Sequence, residues 1–180
     1  MKIVKWVLIV IVIIVAIPLI TAIFVNKEYS IEREVVINRP IGVVFDYVKY
    51  LKNQNNFSKW AQMDEHMKKS YRGTDGTVGF VSAWDSDSSN VGKGEQEIKA
   101  IKHGEKIDYE IRFIEPFEST SNASMTTELK NDYQTKVKWS FNGSMPYPMN
   151  LMLVVMDMDK EIGGDLQTGL NNLKEILEKQ

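Results

Sequence analysis

No cysteine occurs among the 180 residues, and histidine appears only at His66 and His103. The first absence excludes a disulfide framework and a thiolate nucleophile, and it leaves the compartment unreported by redox chemistry. The second excludes a local zinc motif, which needs several ligands at short spacing. Basic charge does not dominate either. A formal net charge of −2 and a pI near 5.8 deny the chain the positive face that a nucleic-acid binder presents. Gly73, Gly76, Gly79, Gly92 and Gly94 follow neither a dinucleotide-binding nor a phosphate-loop pattern, and no G-x-S-x-G elbow offers a serine nucleophile. Internal repeats and low-complexity tracts are missing too. No cofactor and no metal are expected.

Charge is scarcest at the start. Residues 3–25 carry one charge, Lys5, and residues 7–25 carry none. As a helix this stretch is about 34 Å long at 1.5 Å per residue, enough to cross a hydrocarbon core of about 30 Å. A cleaved secretory signal would have a shorter apolar core and small residues at its cleavage site. This run ends Thr21-Ala22-Ile23-Phe24-Val25, so a retained single-pass anchor over residues 1–26 is expected. Lys2 and Lys5 precede the span and Lys27, Arg33 and Arg39 follow it, which orients it weakly, with the N-terminus inside and the domain extracytoplasmic. The lipid bilayer is then the first expected partner. Residues 27–180 read as one water-soluble domain, large enough to bury around 70% of its unfolded surface.

Within that domain, residues 28–38 alternate, with Ile31, Val35 and Ile37 sharing a face, and predict a strand. Pro40 suits the first turn of a helix through about Leu51, carrying Val43, Val44, Tyr47, Val48 and Leu51. Strands are predicted over 68–72, 77–84, 93–101, 106–114, 118–130 and 134–142, punctuated by Asp75-Gly76, His103-Gly104 and Asn131-Asp132. Period-two alternation assigns Val78, Phe80 and Trp84 to the inner face, with Ile107, Tyr109, Ile111 and Phe113, then Ala123, Met125 and Leu129, then Val137, Trp139 and Phe141. Lys106, Asp108, Glu110, Arg112, Lys136 and Lys138 take the wet face. A terminal helix over 148–178 must cover the apolar side. Leu166, Leu170, Leu173 and Leu177 form its stripe, and Met145, Met149, Met152 and Met156 repeat the same spacing earlier. Gly163-Gly164 between them implies a bend or a close approach to the sheet.

The stretch YSIEREVVINRPIGVVFDYV at 29–48 resembles the opening strand and Pro-initiated helix of the START-like superfamily, also called SRPBCC or Bet v 1-like, in its polyketide cyclase/dehydrase-like branch. MDMDKEIGGDLQTGLNNLKEIL at 156–177 resembles its terminal helix, and members with an N-terminal membrane helix are the most similar group. The segment NQNNFSKWAQ departs from the branch by keeping only Phe57 and Trp60 of a Trp-rich stretch. The resemblance implies an α+β helix-grip fold, a curved antiparallel sheet of about seven strands wrapped on the long helix. It also implies an apolar cavity for a lipid or other hydrophobic small molecule.

On that reading Phe80, Trp84, Tyr109, Phe113, Met125, Trp139 and Phe141 face Met149, Met152 and Met156 across the ligand. Methionine is polarizable and repacks around variable apolar guests, although the same stripe serves as irregular core filling. A copper(I) site would need a Cys or nearby His to complete it. Asp159 lies near the apolar seam, where burial without a partner would raise its pKa. A nearby Lys, Arg or backbone N–H, or a slight helix rotation that exposes it, is the favoured reading. With Tyr109, Asp159 is the candidate acid or base of the alternative function, a cyclase or dehydratase acting on a polyketide-like or lipidic substrate. The tract Asp85-Ser86-Asp87-Ser88-Ser89-Asn90 starts like a calcium loop but has Asn90 and Gln96 where Gly and a bidentate Glu belong, and reads as a polar hairpin loop.

Overall fold

A computed structural model describes residues 2–88 and 90–179. An apolar helix α1 (Lys2–Phe24) precedes strand β1 (Glu28–Ile37), helices α2 (Ile41–Val48) and α3 (Gln54–Phe57), and strands β2 (Lys68–Arg72) and β3 (Val81–Asp85). Strands β4 (Lys93–Lys102), β5 (Lys106–Glu115), β6 (Ser119–Asn131) and β7 (Gln134–Ser144) follow, and then helices α4 (Met152–Val155) and α5 (Met158–Lys179). The seven strands form one antiparallel sheet in the order β1-β7-β6-β5-β4-β3-β2. This is the helix-grip arrangement, a sheet closed on its apolar side by α2, α3 and α5.

Register fixes two faces and two ends. Ile31 pairs with Phe141, Ala123 with Phe141, Tyr109 with Ala123, and Ile98 with Tyr109, so one buried row crosses five strands. The outer face is a charge ladder in which Arg112 bridges Glu95, Glu97 and Glu110, and Lys136 pairs with Glu128. At one end of the sheet β1 begins, β7 finishes, and the β3–β4 and β5–β6 connections turn, because Glu28 pairs with Ser144, Lys93 with Glu115 and Phe113 with Ser119. That end adjoins the last turn of α1, and we refer to it as the anchor end.

Two inward assignments are corrected. Val78 is exposed because 77–79 is a turn, with Gly79 at φ +85, and β3 starts only at Val81. Leu129 is exposed because β6 shifts register beside it, beyond the cover of the helices. Helix α2 also stops earlier than its periodicity implies. The Asp75 carboxylate accepts from the Leu51 and Lys52 amides at 2.8 and 3.2 Å and turns the chain there.

The terminal helix does not bend at its glycine pair. Met156 is extended (φ −99, ψ 131), and the break falls between α4 and α5. Asp157 caps the new helix, its Oδ1 accepting from the Lys160 amide at 3.0 Å. Gly163 serves close approach instead, since a Cβ there would overlap the Arg33 guanidinium. Arg33 in turn donates to both Asp159 carboxylate oxygens, at 3.0 and 2.7 Å, and to its carbonyl at 2.9 Å. Asp159 therefore does not face the interior: its side chain is 71% exposed.

The hydrogen bond from Arg33 holds the Asp159 carboxyl below its ordinary value of 3.8. A carboxyl depressed in the folded state adds stability that is present above the ordinary value and lost as pH falls through the lowered one. Amide exchange in the first turns of α5 is accordingly expected to rise on acidification below about pH 4. Asp159→Asn should flatten that dependence, and an unchanged profile would show that the Arg33 tie contributes nothing.

Candidate functional site

The inner wall of the sheet divides into a buried and a half-buried part. In the buried part, Phe80, Tyr109, Met125, Trp139 and Phe141 form one cluster with Leu166, Leu170, Leu173 and Leu177 of α5 and with Val44, Val48 and Phe57 of α2 and α3. Five of the expected lining residues are thus gathered on one wall, with aliphatic side chains filling the space between them and the helix. The methionines are placed elsewhere. Met149 and Met156 are 45% and 39% exposed and Met152 is half-buried, all on the segment that adjoins α1. The expected opposition of Met149, Met152 and Met156 to the aromatic set is corrected, because the break at Met156 swings that segment off the α5 axis.

The half-buried part lies at the anchor end. Helix α5 packs chiefly along β1; Ile98, Ile107 and Tyr109 further along β4 and β5 are buried, whereas Trp84, Ile111 and Phe113 at this end of β3 and β5 are only half-buried. One row there runs Lys69, Trp84, Gly94, Phe113, Ser119; the next runs Tyr71, Ser82, Gln96, Ile111, Ser121, Gly143, Tyr29. Trp84 and Phe113 are half-buried and meet edge to face, with centroids 6.0 Å apart at 76°. Glycine makes this wall possible. A Cβ at Gly94 would overlap the Trp84 ring and one at Gly143 the Tyr29 ring, so each aromatic lies flat on bare backbone. Trp60, Met158 and Ile162 are half-buried against the same core.

The chemistry of these rows is neutral at the centre. Among the described residues they hold no carboxylate and no histidine. Their one cation, Lys69, sits on the edge strand and donates to the Ala61 carbonyl at 2.9 Å, with desolvation lowering its pKa. Deeper in the wall, Tyr109 is 1% exposed and its phenol is pushed well above the ordinary value by burial, an effect that the neighbouring Gln54 side chain opposes without reversing. Neither Tyr109 Oη nor Gln54 Nε2 makes a hydrogen bond.

Tyr109 and Asp159 do not converge. One is sealed in the core and the other is paired at the surface of α5, so the acid–base couple that a cyclase or dehydratase would need is not assembled by these two residues. Tyr109→Phe is expected to leave stability unchanged or to raise it by up to about 1 kcal/mol, because it removes an unpaired hydroxyl from an apolar site. Urea denaturation of the full chain measures this. A clear loss would show that Oη is occupied by a partner.

Two grooves lie outside the inner wall. One of about 360 Å³ sits on the outer face among Lys106, Ser124, Thr126, Lys138 and Ser140, and one of about 240 Å³ lies between Asp64, His66, Lys68, Asp85 and Asp87. The second borders the tract 85–90. That tract is a hairpin connection in which Ser86 hydrogen-bonds Asp64, and Ser89 within it lies outside the described residues.

No family model and no curated protein matches the sequence. Solved structures do share the fold. A Thermobifida fusca protein superposes with a TM-score of 0.56 at 17% identity, over 83% of this chain and 93% of its own. The protein Ara h 8.0201 superposes with a TM-score of 0.55 at 16% identity, over 85% and 99%. A Chromobacterium violaceum protein does so with a TM-score of 0.57 at 14% identity, over 83% and 96%. The fold of residues 27–180 is therefore of the Bet v 1-like, helix-grip type. Helix α1 is long and apolar enough to cross a membrane by length and composition, a test that an N-terminal signal sequence also passes.

Proposed function

We propose that this chain is a membrane-anchored binding module of the SRPBCC superfamily, in its polyketide cyclase/dehydrase-like branch, that takes up a hydrophobic small molecule or lipid. The stretches 29–48 and 156–177 support the branch. The uncharged run from Val7 to Val25 supports α1 as a retained anchor, with the domain on the extracytoplasmic side. The observation that carries the binding reading is the half-buried apolar wall of Trp84, Ile111 and Phe113 at the end of the sheet, where Trp84 and Phe113 meet edge to face. Apolar surface of that kind, edged by Ser82, Gln96 and Ser121, suits a ligand that is greasy along its length and polar at few points.

Binding is favoured over catalysis by the chemistry of the wall. General acid–base work needs two titratable groups within reach of one substrate, and the rows lining the opening supply no carboxylate and no histidine. A tether also suits a lipidic ligand, because the bilayer concentrates it beside a fixed domain.

Native mass spectrometry of the full chain, released from mild detergent, tests the reading. A retained lipid-sized mass, diminished in Trp84→Ala, is the expected result. Protein that is uniformly empty and gives no change in tryptophan emission across a panel of phospholipids, fatty acids and sterols would refute it.

A further inference from the structure

The segment from Met145 to Met156, MPYPMNLMLVVM, carries no charge, yet most of it is not in the core. Tyr147, Met149, Val154, Val155 and Met156 are exposed, Val155 to 82%. What holds the segment in place is α1. Asn150 is fully buried, and its side-chain amide donates to the carbonyls of Ala22 at 2.7 Å and Val25 at 2.9 Å. The last carbonyls of a helix have no partner within it, so Asn150 caps α1 from a distance. The Met145 amide also donates to the Lys27 carbonyl at 2.8 Å. Ala22 is buried under this contact, while Ile23 and Phe24 beside it stay exposed.

The apolar surface of α1 thus adjoins the exposed apolar residues of 147–156. At the same end of the sheet Ile114, near the end of β5, is exposed, and Phe117, between Glu115-Pro116 and Glu118 in the β5–β6 connection, is 74% exposed. The β3–β4 connection at this end is the polar tract 85–90. The opposite end carries Asp75-Gly76, His103-Gly104 and Asn131-Asp132, with exposed Val78, Leu129 and Tyr133 scattered singly. Among the described residues, 147–156 is therefore the one uncharged exposed run of this length outside α1.

We propose that residues 147–156, together with Phe117, form a second membrane contact that lies in the interfacial layer of the leaflet from which α1 emerges. The proposal rests on reading α1 as a membrane span. A bilayer is the one occupant whose surface begins where the exposed flank of α1 ends. An uncharged, exposed segment bearing Tyr147 among aliphatic residues has the composition that partitions into the headgroup boundary. The contact presses the anchor end of the sheet, and with it the half-buried aromatic wall, towards the lipid.

The absence of native cysteine allows a direct test with the full chain in phosphatidylcholine vesicles. Val155→Cys, Phe117→Cys, Tyr133→Cys at the far end and Ile13→Cys within α1 are each labelled with an environment-sensitive fluorophore. Each is challenged with an aqueous quencher, a shallow lipid-borne quencher and a deep one. Labels at 155 and 117 should lose aqueous quenching and gain shallow quenching, the label at 133 should remain fully open to water, and the label at 13 should respond to the deep quencher. If 155 and 117 read as aqueous while 13 reads as deep, the second contact is overturned and the span stands. If 155 is shielded from both water and lipid, another protein surface covers it and the proposal fails. If 13 also reads as aqueous, the span itself fails and takes the contact with it.

Discussion

Trp139→Ala is expected to remove about 3–5 kcal/mol of stability, the range for truncating a buried aromatic. The indole is 4% exposed and sits where four elements meet. Its ring stands edge-on to Phe57 at 5.7 Å and 69°, and to Trp60 at 6.1 Å and 84°. Beneath it α5 supplies Gly169, where even a Cβ would come within 2.8 Å of the ring. No flexible side chain waits below to collapse into the space. Against a typical domain stability of about 5–15 kcal/mol, the loss is a third or more at the middle of both ranges. The denaturation midpoint of the full chain in detergent measures it. Trp139→Phe should lose less, because it keeps the edge contact with Phe57. A loss below about 1 kcal/mol for the alanine variant would show that Phe57 and Trp60 close the gap.

Gly94→Val carries the second large effect, with a sign that separates two physical accounts. Strand propensity alone favours valine over glycine in β4 by up to about 1 kcal/mol. The geometry demands the reverse. A Cβ at Gly94 would stand 2.6 Å from the Arg112 carbonyl of the next strand and inside the volume of the Trp84 ring. Backbone cannot yield as a side-chain tip does, so a destabilisation of about 1–3 kcal/mol is expected. Displacing Trp84 also dismantles the wall on which the ligand reading depends, and retention of the lipid-sized mass should be lost with it. Gly164→Ala, with nothing within 4 Å of its Cβ, is the matched control and should be neutral or mildly stabilising.

Alternation made most of the sheet legible before any coordinates. Ile107, Tyr109, Met125, Val137 and Trp139 fall inward as their spacing requires, and the Lys106 to Arg112 ladder falls outward. Arg33 lies in β1 between Ile31 and Val35, opposite Trp139, where a charge demands a partner. Pairing it with Asp159, 126 positions away, is beyond what period two conveys. Val78 and Leu129 failed for a local reason, because alternation continues through residues that a turn or a register shift has already taken out of the sheet.

The candidate site was legible in part. Helical spacing from Met145 to Met156 looked continuous with the leucine stripe, and that spacing carries no sign of the cap at Asp157. The structure lets the cap prevail, and the methionines leave the wall. Asn150 gave no signal at all, since its two acceptors are main-chain carbonyls of α1 and main-chain partners leave no mark in side-chain pattern.

That clamp has a mechanical consequence. Three residues, Val25 to Lys27, separate α1 from β1, and Asn150 holds the carbonyls of Ala22 and Val25, which couples the orientation of α1 to that of the sheet. In a lipid bilayer, a change of thickness that tilts the span would swing the Trp84 opening through the same angle. On the proposed reading of α1 as a membrane span, membrane composition would then set the direction in which the opening looks.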